Sequence, residues 1–118
     1  SDLGKYLSEL ISGYSGSGRI LKVESYDELF KSNLNDENHK ERNDNAYNDE
    51  YNMGIFMGSS AQGQIGHTGG DPGVTTLMFF NVKTKIGKIL LVNTDVNKDG
   101  INELRAIWKK LDEFESKF

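Results

Sequence analysis

Apolar positions along the chain recur with two different periods, and each period predicts its own kind of element. Leu3, Tyr6, Leu7, Leu10 and Ile11 fall at i, i+3, i+4, i+7 and i+8, the spacing of one helical face. They predict an amphipathic helix over residues 2–13, with Ser1 or Asp2 placed to cap its start and Gly13 to end it. Arg19–Val23 reads as a short extended piece. Ser25-Tyr26-Asp27-Glu28 reads as a capping box, which opens a short helix through Leu29 and Phe30 that ends near Asn33–Asn35. From Tyr51 the period changes to two. Tyr51, Met53, Ile55 and Met57 share a face and predict a strand over Tyr51–Gly58. Ser59–Gln64 reads as a turn, and Gly66–Gly73 as a tight Gly-rich turn carrying His67, Thr68 and the only proline. Val74–Phe80 and Ile86–Val92, joined by a short polar link, predict an antiparallel hairpin in which Gly87 marks a bulge or a close approach. After the polar loop Asp95–Gly100, the positions Ile101, Leu104, Ile107, Trp108, Leu111, Phe114 and Phe118 form the stripe of a C-terminal helix. Trp108 lies within that stripe and reads as core.

These elements predict an α+β fold for a single domain spanning residues 1–118. An antiparallel sheet of about three strands is flanked by helices, and the C-terminal helix packs on the sheet. A chain of 118 residues suits one domain and buries roughly two-thirds of its unfolded surface. Asn35–Glu50 has almost no apolar residue and reads as a solvated polar loop, with His39 exposed among its acids. The formal net charge is −4 and no Lys/Arg-rich run occurs, which argues against a nucleic-acid partner. There is no cysteine, so disulfides, thiolate metal sites and a cysteine nucleophile are excluded, while the compartment is left open. No apolar run approaches the roughly 18 residues of a membrane span. The opening S-D-L-G-K-Y is not a signal peptide, and a chain that starts on a helix cap reads as one cut just upstream of a helix.

Four stretches could carry chemistry. Gly13–Gly18, G-Y-S-G-S-G, has the glycines of a phosphate cradle but neither a preceding strand nor a following Lys-Ser/Thr, and reads better as a flexible connection. His39 could join a metal site, although its segment favours plain exposure. His67-Thr68-Gly69-Gly70 puts an imidazole and a hydroxyl beside glycines that let a substrate approach closely, so it could bind a carboxylate or steady an oxyanion. Its bland alternative is a turn with a solvent-facing histidine. Asp95, Asn97, Asp99 and Glu103 follow the D-x-N-x-D-G pattern of Ca²⁺ loops. A full EF-hand is excluded because Ala106 stands at its twelfth position. The alternative there is a polar turn with Asn102 or Asp99 as helix N-cap and Glu103 favouring the helix dipole. Apart from this Ca²⁺ candidate, no cofactor is expected.

Nearly the whole chain resembles the C-terminal part of the serine β-lactamase/penicillin-binding-protein superfamily, closest to its class C β-lactamase-related serine hydrolases. S-D-L-G-K-Y-L-S-E-L-I-S-G, G-R-I-L-K-V-E-S-Y-D-E-L-F and Y-N-M-G-I-F-M-G are each similar to segments of that family. The most specific block is I-G-H-T-G-G-D-P-G-V-T-T-L-M-F-F-N, in which Gly66, His67, Thr68, Gly69, Gly70, Pro72 and Gly73 stand in the family's order. The resemblance implies a partial β-lactamase-like fold. It also implies that His-Thr-Gly occupies the place of Lys-Thr-Gly, on the strand bordering the active site. His67 and Thr68 would then contact a substrate carboxylate or carbonyl, and the backbone near Gly69 and Gly70 would supply part of the oxyanion hole. Implied substrates are β-lactams, D-amino peptides or esters, and the family is often exported.

The family's nucleophile is absent. No Ser is followed three positions later by Lys, and Tyr47-Asn48 and Tyr51-Asn52 are Tyr-Asn pairs rather than Tyr-x-Asn. The expectation is a segment that carries one of three catalytic motifs and is inert alone. A binding module at His67 or at the Asp95 loop is the alternative, and a self-associating scaffold is a third reading. Separated from upstream strands, residues 86–92 would form an unprotected apolar edge, so a homo-oligomer through that edge is expected.

Overall fold

The computed structural model describes residues 1–31, 47–48, 51–55, 58–61, 63–96 and 100–117, with side chains described for 1–31, 63–96 and 100–117. Helix α1 spans Asp2–Tyr14 and helix α2 spans Val23–Phe30. Among the described residues six strands follow, β1 (Tyr47–Asn48), β2 (Tyr51–Ile55), β3 (Gly58–Ala61), β4 (Gln64–Asp71), β5 (Val74–Asn81) and β6 (Gly87–Val92), and helix α3 (Ile101–Glu115) closes the order. The strands form one antiparallel meander in the order β1-β2-β3-β4-β5-β6. This is the expected α+β arrangement with a C-terminal helix. The longer strands β4, β5 and β6 make its body, and three shorter ones extend it. Among the described residues no helix is long and apolar enough to cross a membrane.

Alternation along the strands divides the residues between two covered faces. Ile65 pairs with Phe80, and Phe80 with Gly87, so these three share a face, and α1 lies on it. Leu7, Leu10, Ile65 and Phe80 form the buried cluster, with Ile11, Phe30, Met78 and Ile89 packed around it. Phe80 is fully buried, and Tyr14, Phe30 and Phe80 meet edge to face at 5.3–6.0 Å, an arrangement that adds to simple area burial. The Gly87 position is a close approach, as expected: a Cβ there would lie 2.5 Å from Leu7 Cδ2. The opposite face carries Phe79 and Lys88, and α3 packs on it. Trp108 meets Phe79 edge to face at 5.9 Å, half-buried.

Several local expectations give way to tertiary packing. Ser25 does not cap α2. The helix starts at Val23 with Lys22 at its N-cap and no side-chain cap, and Glu28 pairs with Lys31 instead. The helix ends at Phe30, earlier than expected, and Arg19–Leu21 bends rather than extends. Ser59–Gln64 is not a single turn, because β3 fills Gly58–Ala61 and β4 begins at Gln64. Gly100 takes the N-cap of α3 without a side-chain cap, so Asn102 lies inside the helix. Within the expected 35–50 loop, Tyr47–Asn48 forms β1. The rest of that loop with His39, together with Asn97, Asp99 and Phe118, lies outside the described residues.

Candidate functional site

The stretch that reads locally as a turn is mostly strand. Gln64–Asp71 forms β4, and only the reversal around Pro72 and Gly73 is tight. Gly73 takes φ +80°, a value that side-chain-bearing residues rarely adopt. The earlier glycines make room for neighbours. A Cβ at Gly66 would lie 2.0 Å from Met78 O and 2.6 Å from Phe79 Cα, and one at Gly69 would lie 2.6 Å from Thr76 Oγ1. Glycine therefore lets β4 lie closely against β5 in full register, from Gln64↔Asn81 to Asp71↔Val74. Sequence reasoning counted the glycines as turn formers because a single chain does not reveal what approaches them.

Consecutive side chains on a strand leave opposite faces, and this separates the two candidate side chains. His67 opposes Met78 and belongs to the α1 face, whereas Thr68 opposes Leu77 and belongs to the α3 face. Both are exposed, as are Gly69 and Gly70. The His67 Nδ1 lies against the carbonyl oxygen of Thr68. Nδ1 is thus taken up by its own strand, and Nε2 is the ring nitrogen left for a ligand. The residue that joins His67 on its face is Thr76. Its hydroxyl donates to Gly69 O at 3.3 Å, and Gly69 opposes Thr76 in register. Period-two counting across the hairpin carries the signal for Thr76, but that signal emerges only once 64–71 is known to be strand.

Among the described residues, the outer half of β4 has one registered neighbour. Among the described residues, β3 pairs with β4 only from Ala61↔Gln64 to Ser59↔Gly66. From His67 to Asp71, β5 covers one side and no described residue is registered on the other. A strand paired on one side offers backbone donors and acceptors to an extended ligand.

The Asp95 stretch is tied to this hairpin. Asp95 Oδ1 accepts from Gly73 N–H at 2.9 Å, Thr75 Oγ1 donates to Thr94 O at 3.1 Å, and Val96 N–H donates to Thr75 Oγ1 at 3.2 Å. Asp95 thus holds the β4–β5 turn. Glu103 sits in the first turn of α3, Asn97 and Asp99 lie outside the described residues, and no group of three or more His, Cys, Asp or Glu that could hold a metal occurs among the described residues.

The Gly13–Gly18 segment is packed, not cradle-like. Glu9 is nearly buried and accepts from Tyr26 Oη at 2.7 Å, Arg19 N–H at 2.5 Å and Ile20 N–H at 3.2 Å. The hydrogen bond from Tyr26, followed by that from Arg19 N–H, holds its carboxyl below the usual range. The Tyr26 ring lies between Gly13 and Gly18, where added Cβ atoms would come within 2.2 and 2.3 Å of it. No family model, curated protein or solved structure matches the chain.

Proposed function

We propose that this chain is the C-terminal segment of a β-lactamase-related serine hydrolase and supplies the wall of an acyl-transfer site that binds substrate. The observation that carries the reading is that Gly66-His67-Thr68-Gly69-Gly70 lies on a strand whose outer half is exposed and, among the described residues, has β5 as its one registered neighbour. The resemblance requires a strand there, whereas the local sequence alone suggests a turn. In this reading an extended substrate lies along His67–Asp71, its carbonyl or carboxylate meets the His67 imidazole, and backbone N–H groups near Gly69 and Gly70 steady the developing oxyanion. The nucleophile and its base come from Ser-x-x-Lys and Tyr-x-Asn motifs upstream of Ser1.

The test is the reading frame upstream of Ser1 and the protein it encodes. Both motifs are expected there, as is hydrolysis of nitrocefin or p-nitrophenyl acetate that a serine-directed phosphonate abolishes. In that protein His67→Ala lowers kcat/KM on the order of a hundredfold. A frame without Ser-x-x-Lys overturns the reading. Phosphonate-sensitive turnover by the 118-residue chain alone overturns the assignment of the nucleophile to upstream sequence.

A further inference from the structure

The two edges of the sheet differ. At one end lies β1, two residues long, and at the other β6, Gly87–Val92, six residues long. A very short edge strand offers little to pair with, whereas a longer one presents a row of unpaired N–H and C=O groups. The inner side of β6 is taken by β5, from Thr75↔Val92 to Phe80↔Gly87. Among the described residues no hydrogen bond leaves its outer side. Proteins commonly guard such an edge with an exposed charge or a proline. Here there is no proline, and the one charge, on Lys88, is turned under α3 and neutralised by Asp112 and Glu115. Leu91, by contrast, is 63% exposed on the other face.

We infer that β6 pairs antiparallel with β6 of a second copy of this chain, joining the two sheets across a two-fold axis. A second copy fits because antiparallel pairing about a two-fold axis is isologous, so the chain carries its own complement. A two-fold axis perpendicular to the sheet keeps each face with itself. With the axis at Leu90, Ile89 of one copy lies opposite Leu91 of the other, and the exposed Leu91 gains an apolar neighbour. The two Lys88 ammonium groups are each already paired, so they do not repel across the axis. The inference concerns the 118-residue chain by itself: the function proposed for His67 implies upstream strands that would compete for this edge, so the experiment on the 118-residue chain tests the edge and leaves the reading of His67 to its own test.

Analytical ultracentrifugation of the 118-residue chain over a range of concentrations, with amide hydrogen exchange on the same samples, tests it. A species of twice 13.2 kDa is expected, with protection of the outward β6 amides that rises with protein concentration. Leu91→Lys sets like charges near the axis and weakens the dimer on the order of tenfold, while its far-ultraviolet circular dichroism, and its thermal melt at dilutions where both proteins are monomers, stay those of the parent. A monomer at millimolar concentration overturns the inference. So does a dimer that survives Leu91→Lys without added β6 protection, which would seat the contact elsewhere, for instance on the exposed Ile107 and Phe114 of α3. An open-ended ladder of oligomers also overturns it, because a two-fold pairing closes.

Discussion

Glu9 and Tyr26 show how single residues hold the helical half together. The bend between α1 and α2 has backbone N–H groups at Arg19 and Ile20 that no strand or helix satisfies, and the Glu9 carboxylate takes both. Tyr26 donates a third hydrogen bond, with its ring set between two glycines. Gly13→Ala sets two effects against each other. Alanine in a helix gains up to about 1 kcal/mol over glycine, but the new methyl would sit 2.2 Å from the Tyr26 ring in an overpacked site that costs about 1–3 kcal/mol. The second effect wins, and urea unfolding should show net destabilisation. Glu9 also sets a pH dependence. Its carboxyl titrates below the ordinary 4.5 in the folded chain, so its contribution is present above that value and is lost as pH falls through the folded pKa. Glu115 adds to the same acid limb: burial raises its pKa, but the hydrogen bonds from Lys88 and Thr84 outweigh that and carry it below 4.5. At the alkaline end the sign reverses. Burial lowers the Lys88 pKa, but its bonds to Asp112 and Glu115 more than offset this and raise it above 10.5, so its contribution is lost as pH rises through the folded value. Thermal melts across pH should show an acid limb below about pH 4.5, and Glu9→Gln, which keeps an acceptor, should shrink it.

At the scale of elements, one ion-pair cluster sets the rotation of α3. Lys88 is buried on the α3 face of β6 and bonds Asp112 and, at 2.8 Å, Glu115, while Thr84 Oγ1 donates to Glu115 at 2.7 Å. On a helix Asp112 and Glu115 lie within about 40° of Trp108, whereas Ile107 and Phe114 lie roughly 100–120° around. Turning the acids to Lys88 therefore leaves Ile107 and Phe114 at 46% and 51% exposure. The hydrophobic stripe and the charged contacts compete for the same rotation, and the buried lysine prevails because an unpaired charge there costs more than a half-exposed leucine-sized side chain. Lys88→Met should cost about 2–4 kcal/mol in urea unfolding and deprotect α3 amides before those of β5. In the hairpin, Gly66→Ala should be among the most damaging changes, about 3 kcal/mol or more, because the clash falls on the β5 backbone and not on a side chain that can swing away. Asp95 offers a discriminating pair of variants. Asp95→Asn keeps an acceptor for Gly73 N–H and should leave the melt nearly unchanged, whereas Asp95→Ala should lower it. Isothermal titration with Ca²⁺ separates that role in the turn from metal binding: heat that Asp95→Asn abolishes would assign a metal to the loop.

For the whole molecule, the amphipathic spacing of α1, the hairpin Val74–Phe80 and Ile86–Val92, the C-terminal helix and the α+β class were all legible in the sequence. Periodicity records which face each element must bury. The alternation at Tyr51–Ile55 was legible for the same reason. The motif Gly66–Gly73 was legible as a pattern, but whether it was turn or strand was not. Glycine permits both conformations, and the deciding contacts lie on Met78, Phe79 and Thr76, ten or so residues away. The capping box at Ser25 is not used: α2 begins two residues earlier, at Val23, and its Tyr26 reaches back to Glu9, a contact between elements that the local pattern does not contain. The sequence by itself determined the kinds of element, the absence of thiol chemistry and the lack of a Ser-x-x-Lys nucleophile, because each follows from composition or local spacing. Tertiary structure alone decided that His67 and Thr68 leave opposite faces of β4, that Thr76 stands beside His67, that Lys88 turns inward, and that β6 is an edge of the sheet among the described residues. Each of these depends on strand register, a long-range property that no local pattern specifies.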